Sequence, residues 1–168
     1  GAKPFMTNDS QSFRAAMAQL GSAVCILSTG GPAGRYGITA SAVTAVSDDP
    51  PSLIVCVNRN SGANAAIKTN GRLCVNVLSC DQETVSAAFS NPSVVPARRF
   101  DTGEWQDSSI GNPVLAETAA YFDCEVDKAV EYGTHTVFFC KALDISVSQA
   151  TTCLIYQGRA YHKIEGFG

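Results

Sequence analysis

Short runs of apolar, β-forming residues, each bounded by turn-forming residues, recur along most of this chain. Leu53 to Val57 is a continuous apolar run of the kind found in a strand that is buried on both faces. Seven or eight such segments occur, with only a few short helical patterns between them. Strands this apolar need partners on both edges. The pattern therefore predicts a mainly β protein, a closed antiparallel β-barrel with a few short peripheral helices.

Capping and turn residues separate the predicted elements. Three short helices are expected, capped by Ser10, by Ser61 (residues 62–69) and by Ser79 or Asp81. The first of them is expected to cover one end of the core. Residues 90–112 have no clear period, so they are expected to form a lid or an interface segment. Strands are expected at residues 24–27, 36–47, 53–57, 73–78, 119–126, 134–148 and 152–156, with a last short strand ending near His162.

Size and charge limit the classes of protein to which the chain can belong. A length of 168 residues, 45% of them hydrophobic, predicts a single domain over residues 1–168. Twelve Lys and Arg against fifteen Asp and Glu give a formal net charge of -3, which disfavours nucleic acid and anionic membranes as partners. Residues 15–34 are uncharged but contain four glycines and a proline, so no membrane span is expected. We expect a cytoplasmic protein, since the first residues contain no continuous apolar signal segment.

The seven cysteines are scattered singly, mostly within apolar runs, and no CxxC pair occurs. This distribution is typical of small buried side chains in a reduced protein. It predicts neither a disulfide framework nor a metal site.

The segment from Gly37 to Thr44 consists of Gly, Ala, Ser and Thr, apart from Ile38 and Val43. Such small side chains let a flat ligand lie against the backbone, within reach of N–H groups, C=O groups and hydroxyls. The alternative is an interface strand whose small side chains admit the backbone of another subunit. The residues alone leave both interpretations open.

A second candidate is the polar segment from Asn58 to Asn64, which lies between a predicted strand and a predicted helix. A helix N-terminus presents unpaired N–H groups and a positive dipole, and Arg59 with the Ser61 hydroxyl would complement a phosphate. The alternative is plain N-capping by Ser61. Together with the small-residue strand, the segment would seat a planar ring and a phosphate.

The remaining polar residues give weaker signals. His135, one of only two histidines, opens an apolar strand, where it can bind a ligand or be structural. The long loop contains Arg98, Arg99 and Phe100. Either its two arginines are simply exposed to solvent, or this segment folds over an anionic ligand and binds it. Asp123, Glu125 and Asp127 alternate, as on the solvated face of a strand. The sequence contains no G-x-S-x-G, GxGxxG or GxxxxGK[ST] motif, which argues against hydrolytic, Rossmann and P-loop sites.

Taken in order, several segments resemble the short-chain flavin reductases. They are most similar to the reductase components of two-component flavin monooxygenases, such as the 4-hydroxyphenylacetate 3-monooxygenase reductases. The resemblance covers about residues 13–162, nearly the whole domain. It is carried by Phe13-Arg14, Gly37 to Val43, Asp49 to Leu53, Asn58 with Ser61, Leu73 to Leu78, Arg99-Phe100, Gly133 to His135 and Leu154 to Tyr156.

The resemblance implies an FMN-binding split barrel, usually a homodimer, in which NAD(P)H reduces FMN or FAD. The reduced flavin then diffuses to a separate oxygenase component. NADH is the expected nicotinamide substrate, with NADPH as the other candidate. No protein acid or base is expected to act in catalysis, because hydride passes directly between the stacked rings.

The same resemblance implies roles for individual residues. Thr39, Ala40, Ser41 and Ala42 would line the isoalloxazine ring, and Asn58, Ser61 and Asn64 would hold the ribityl chain and phosphate. Arg99 and Phe100 would complete the flavin site, and His135 would lie near the nicotinamide. Arg59 is expected near the phosphate on physical grounds alone.

Two other classes of function stay open at this point. One is a split-barrel protein that binds flavin or haem without turnover. The other is an interaction module in which the small-residue strand serves only dimerisation.

Overall fold

The structure is a computed structural model in which residues 8–149 and 152–165 are described. Its α-helices are α1 (Ser10–Met17), α2 (Gly62–Asn70) and α3 (Glu83–Ser90), and a 3-10 helix spans Pro96–Asp101. The strands of the first half are β1 (Ser22–Ala23), β2 (Cys25–Thr29), β3 (Tyr36–Ala40), β4 (Val43–Asp48), β5 (Pro51–Asn58) and β6 (Arg72–Val77). Those of the second half are β7 (Trp105–Asp107), β8 (Pro113–Leu115), β9 (Ala120–Tyr132), β10 (His135–Val147), β11 (Thr152–Gln157) and β12 (Ala160–Glu165).

The strands form one large antiparallel sheet and two small ones. The large sheet has seven strands in the order β3-β2-β6-β9-β10-β5-β4. Beside it lie a three-stranded sheet, β1-β11-β12, and the hairpin β7-β8. The prediction of a mainly β protein with a few short helices is confirmed. The two edge strands of the large sheet, β3 and β4, are consecutive in the chain, so a link of only two residues, Ser41 and Ala42, joins the two edges.

Strand β2 is buried along its whole length and separates two apolar clusters. Cys25 and Leu27 point into the first cluster, together with Val55, Phe138 and other side chains of the large sheet and of α2. Ile26 points into the second cluster, which contains side chains of α3, β8 and β11. Burial on both faces was predicted for β5, and that prediction is wrong. In β5 only alternate residues are buried, because its second face is not covered by the second cluster.

The helix caps differ in part from the sequence expectation. Asp9, not Ser10, caps α1, since its Oδ1 accepts a hydrogen bond from the Ser12 N–H at 2.7 Å. No residue of α1 is buried, and Phe13 is 64% exposed, so the helix does not cover the core as predicted. Neither Ser79 nor Asp81 caps α3, which begins after Gln82. The predicted cap of α2 by Ser61 is confirmed.

Three predicted segments are also corrected. Residues 36–47 form two strands, β3 and β4, because the chain passes from pairing with β2 to pairing with β5 at Ser41. Residues 90–112 are not a loop without regular structure, since they contain the 3-10 helix and β7 and are anchored by aromatic packing; their role as a lid or an interface segment stays a prediction. Asp123 is not on a solvated face: it is 1% exposed because β8 and the residues before it cover that part of the sheet.

Among the described residues, no helix is both long enough and apolar enough to cross a membrane.

Gly37 on β3 allows a close approach between strand and helix α3. A Cβ placed on Gly37 would lie 2.6 Å from Cε1 of Phe89 and 2.9 Å from its Cδ1. Phe89 is 1% exposed and packs against Phe100 and Trp105, so its ring has no free space to occupy. Only glycine fits this strand position without moving the aromatic cluster.

We predict that Gly37→Ala lowers the free energy of unfolding by about 1–3 kcal/mol, the usual cost of overpacking a core. Chemical denaturation measures this value. Gly21→Ala is the matched control, because a Cβ at Gly21 meets its nearest atom at 3.6 Å, an ordinary contact. Equal stability of the two variants would contradict the packing described for Gly37.

Candidate active site

A cavity of about 380 Å³ lies beside the C-terminal half of β3, between α3 and the β11-β12 hairpin. This size is within the range of small-molecule sites. Three of the predicted ring-binding residues, Thr39, Ala40 and Ser41, form one wall. The other lining residues are Val24, Ser86, Ser90, Tyr156, Arg159 and Tyr161. Among the described residues, the cavity wall contains no carboxylate, so an anionic or electron-rich ligand meets only neutral groups and one guanidinium there.

Ser86 holds the walls of this cavity together. The Thr39 hydroxyl donates to the backbone oxygen of Ser86 at 2.7 Å, and the Ser90 hydroxyl donates to the same oxygen at 2.9 Å. The Ser86 hydroxyl also shares a hydrogen bond of 2.7 Å with the Tyr161 hydroxyl. Because Ser86 is fully buried, these bonds fix β3, α3 and β12 relative to one another.

Sequence reasoning did not identify the residues that α3 and the last hairpin contribute. A usable signal was present in α3, where Ser86 and Ser90 are spaced four residues apart and Ser86 interrupts an otherwise apolar inner face. No local signal marks Tyr156, Arg159 and Tyr161, because only the antiparallel pairing of β1 with β11 brings their hairpin to this place.

Asn58 and His135 do not line this cavity but a separate groove of about 780 Å³ beside α1. They are direct partners in the pairing of β5 with β10. Asn58 Oδ1 accepts a hydrogen bond from the Asn60 N–H at 2.8 Å. His135 Nδ1 lies 2.8 Å from the Thr134 hydroxyl, so its other ring nitrogen, Nε2, is left for a ligand.

The junction between β5 and α2 contains the other residues predicted to bind phosphate. The Ser61 hydroxyl oxygen accepts a hydrogen bond from the Ala63 N–H at 3.2 Å and keeps its own proton for donation to a ligand. Asn64 is buried, and its amide donates to the Thr136 hydroxyl at 2.9 Å and to the Val57 oxygen at 3.3 Å. The buried Asn64 side chain therefore holds the junction of β5 and α2 in place through these two bonds.

Arg59 points to the β9-β10 turn rather than to the start of α2. Its Nε lies 3.2 Å from Glu131 Oε2, and its Nη1 donates to the Gly133 oxygen at 3.3 Å. Hydrogen bonds from Lys68 and then Thr136, together with the charge of Arg59, lower the pKa of Glu131. Glu131 therefore keeps its negative charge near neutral pH, and part of the Arg59 charge is neutralised.

Arg99 and Phe100 lie under β3. Arg99 donates from Nη1 to the Gly37 oxygen at 2.9 Å and from Nη2 to the Asn91 oxygen at 3.3 Å. Its Nε is buried without any hydrogen-bond acceptor. Phe100 meets Phe89 edge to face, with ring centroids 5.1 Å apart.

These groups fit a flavin. An isoalloxazine ring is flat and presents carbonyl oxygens and ring nitrogens that accept hydrogen bonds, and the small side chains of β3 leave a flat wall. The Ser41 and Tyr156 hydroxyls and the Arg159 guanidinium line the cavity and supply donors, which a ligand rich in acceptors requires.

Residues 17–165 match the flavin reductase like domain family. Among known proteins, the chain is similar to an FMN reductase (NADH), RutF, of Variovorax paradoxus, with 46% identity over 164 residues, 98% of this chain and 89% of the relative. It is also similar to the 4-hydroxyphenylacetate 3-monooxygenase reductase component of Pseudomonas aeruginosa, with 44% identity over 156 residues, 92% of each chain. Among solved structures it resembles BorF, the flavin reductase component of a bacterial two-component tryptophan halogenase. That match has a TM-score of 0.88 and 25% identity and covers 95% of this chain and 100% of the other.

The fold, the carboxylate-free cavity beside β3 and these similarities define an oxidoreductase of the NAD(P)H:flavin class. The chain belongs to the flavin reductase like domain family.

The cysteines take no part in either cavity. All seven are free thiols, and Cys25, Cys74, Cys80, Cys124 and Cys140 are buried, as predicted for most of them. Burial raises the pKa of Cys25 and of Cys140 to about 12 and raises the pKa of Cys124 further. A raised pKa keeps a thiol protonated, and only the thiolate is nucleophilic.

We predict that iodoacetamide at pH 8 leaves Cys25, Cys124 and Cys140 unmodified in the folded protein. Half-buried Cys56 and Cys153, whose pKa values are also raised, should react slowly and first. Peptide mass spectrometry identifies the modified residues, and alkylation in denaturant is the control in which all seven react. Early modification of Cys140 in the folded state would show that this region of the core is open.

Proposed function

We propose that this flavin reductase oxidises NADH, reduces FMN or FAD, and releases the reduced flavin by diffusion to a separate oxygenase component. The observation that carries the proposal is the carboxylate-free cavity beside β3, in a chain similar to NADH-dependent FMN reductases and to a monooxygenase reductase component. An enzyme that releases its flavin needs a site of moderate affinity. The open cavity, with small side chains and few charges, suits such a site better than an enclosed one.

The flavin ring is assigned to the wall formed by Thr39, Ala40 and Ser41, with Ala42 at its end. The support for this assignment is the flat, small-residue surface and the bond from Thr39 to Ser86 that holds it in place. Arg99 supports the strand from below through its bond to the Gly37 oxygen, and Phe100 fills the space beneath.

The ribityl chain and phosphate are assigned to Asn58 and Ser61. Ser61 retains a hydroxyl proton for donation. As the N-cap of α2, it lies at the helix end where the first backbone N–H groups are also exposed for a phosphate. Asn64 positions this junction through its buried amide, as a residue that does not itself contact the ligand. Arg59 adds positive charge nearby, reduced by its pairing with Glu131.

His135 is assigned to the nicotinamide, because it lines the groove and its Nδ1 is held by Thr134, which leaves Nε2 for a ligand. The chemistry supplied by the bound rings is hydride transfer from nicotinamide C4 to flavin N5. The residues of this chain orient the two rings, hold the phosphates and exclude water, and no protein acid or base is needed. NADH is preferred over NADPH in this proposal.

We further propose that the large sheet closes into the split barrel of the family. The Cys56 N–H donates to the Ala42 oxygen at 3.1 Å, so the pairing of β5 continues beyond β4 into the short link between β3 and β4. Ile38 of one edge strand and Val43 of the other also pack against the same apolar cluster.

We propose a homodimer in the cytoplasm. On β10, Leu143, Ile145 and Val147 expose an apolar stripe outside both cavities, which a second copy would cover. Seven free thiols suit a reducing compartment.

A steady-state assay tests the proposed activity. NADH oxidation is followed at 340 nm (about the nicotinamide absorption maximum) with FMN, FAD or riboflavin as acceptor. We expect turnover with FMN or FAD and a higher kcat/KM for NADH than for NADPH. Protein that binds flavin but oxidises neither nicotinamide nucleotide would favour a storage or sensing protein instead.

Ser61→Asp tests the phosphate assignment. Aspartate is also a good N-cap, so α2 stays capped while a carboxylate faces the ligand phosphate. We expect the Kd for FMN, measured by flavin fluorescence, to rise about ten-fold or more through like-charge repulsion. Riboflavin, which lacks the phosphate, is the control and should bind both proteins equally. The assignment is falsified if FMN binds the variant as tightly as the original protein.

A further inference from the structure

Most of the positive side chains in the described part of the chain already have partners. Ion pairs join Arg35 to Asp107, Arg59 and Lys68 to Glu131, Arg98 to Asp101 and Lys141 to Asp127. Arg72 and Arg99 donate to backbone oxygens. Two arginines that line cavities are different: within residues 8–149 and 152–165, neither the Arg14 nor the Arg159 guanidinium makes an ion pair or a hydrogen bond. Arg159 lines the cavity beside β3, and Arg14 lines the groove beside α1. In a protein with a net charge of -3, an unpaired cation in a cavity is unusual.

The groove that contains Arg14 is lined by hydrogen-bond donors. Asn58 uses its Oδ1 for the Asn60 N–H, which leaves its amide N–H groups for a ligand. His135 uses Nδ1 for Thr134, which leaves Nε2. Ser10 and Ser12 add hydroxyls, and Phe13 adds an exposed aromatic wall. Within the part of the chain that the structure describes, no carboxylate is among the groove residues.

Another cavity of the molecule has the opposite character. It measures about 450 Å³ and is lined by Glu104, Asp107, Glu117 and Asp144, so it repels anions. The contrast matters because FMN, FAD, NADH and NADPH all carry phosphate groups. Of these two cavities, only the groove beside α1 can accept a phosphate at neutral pH.

We propose that Arg14 binds a phosphate group of a nucleotide ligand in this groove, together with Asn58. The inference rests on the proposed function, which supplies two phosphate-bearing ligands, the nicotinamide dinucleotide and the flavin nucleotide. Arginine suits the role because its planar, permanently charged guanidinium forms paired hydrogen bonds with phosphate oxygens. Arg14 lies on a helix without buried residues and lines the groove, so its charge is accessible to a ligand there.

The test uses Arg14→Gln and Arg14→Lys, with Arg98→Gln as the matched control. Arg98 is exposed, pairs with Asp101 and lines neither the groove nor the flavin cavity. No residue of α1 is buried, so both variants at position 14 should fold, and thermal denaturation checks this. Binding is measured directly by NADH fluorescence and by flavin fluorescence, without turnover, so a failure of the proposed activity does not affect the result.

We expect Arg14→Gln to raise the Kd of one phosphate-bearing ligand about ten-fold or more, as for loss of a charge-assisted bond. Arg14→Lys should recover part of the affinity, and Arg98→Gln should bind as the original protein does. Added salt should raise the Kd of that ligand more for the original protein than for Arg14→Gln, because only the original protein has the Arg14 charge at the site.

The ligand that responds identifies the source of the phosphate. A higher Kd for NADH with unchanged FMN binding assigns Arg14 to the diphosphate of the nicotinamide dinucleotide. A higher Kd for FMN with unchanged riboflavin binding assigns it to the flavin phosphate. Unchanged Kd values for both NADH and FMN, or an equal loss of FMN and riboflavin affinity that lysine does not restore, would overturn the proposal.

Discussion

Burial of β2 on both faces is the constraint on which the rest of the structure depends. One face of this strand contributes Leu27 to the cluster inside the large sheet, and the other contributes Ile26 to the cluster under α3 and β11. Its backbone neighbours follow from that position. β3 and β6 pair with its two edges, and just before it the Val24 N–H donates to the Leu154 oxygen while the Val24 oxygen accepts from the Leu78 N–H. Strand β2 thereby brings the small-residue wall of β3 and the last hairpin to opposite sides of one cavity.

The polar end of β2 shows how a strand buried on both faces includes hydroxyl residues without leaving them unsatisfied. The Ser28 hydroxyl donates to the Pro113 oxygen at 2.6 Å, and the Thr29 hydroxyl donates to the Arg72 oxygen at 2.6 Å. Asn76 on the neighbouring strand donates to the Ile26 oxygen and to Ser28. A buried polar group is costly unless it is bonded, so this network holds the β8 segment against the sheet in one arrangement.

Local arrangement of charge, rather than net charge, determines where anionic ligands can bind. The chain has a net charge of -3, yet the described residues of the cavity beside β3 and of the groove beside α1 include no carboxylate. A third cavity is lined by four carboxylates, those of Glu104, Asp107, Glu117 and Asp144. Interactions between exposed charges are screened within about 10 Å at ordinary ionic strength. A ligand phosphate therefore responds to the nearby guanidinium groups and helix N–H groups, and hardly to the acidic residues elsewhere.

The sequence by itself determined the elements whose signals are local. Apolar β-forming runs identified most strands, Ser61 and Gly71 marked the two ends of α2, and the run from Gly37 to Val43 contains the three residues that form one wall of the cavity beside β3. Caps decided by geometry, such as Asp9 for α1, were missed because Asp9 and Ser10 are both good caps in isolation. Only the tertiary structure decided which strand is buried on both faces and which residues line the same cavity. It placed Asn58 and His135 in a different cavity from Thr39. It also brought Ser86, Tyr161 and Arg159 to the cavity beside β3 and Arg14 to the groove beside α1. The physical reason is that pairing between strands distant in the chain sets these neighbours, and no local pattern of residues records it.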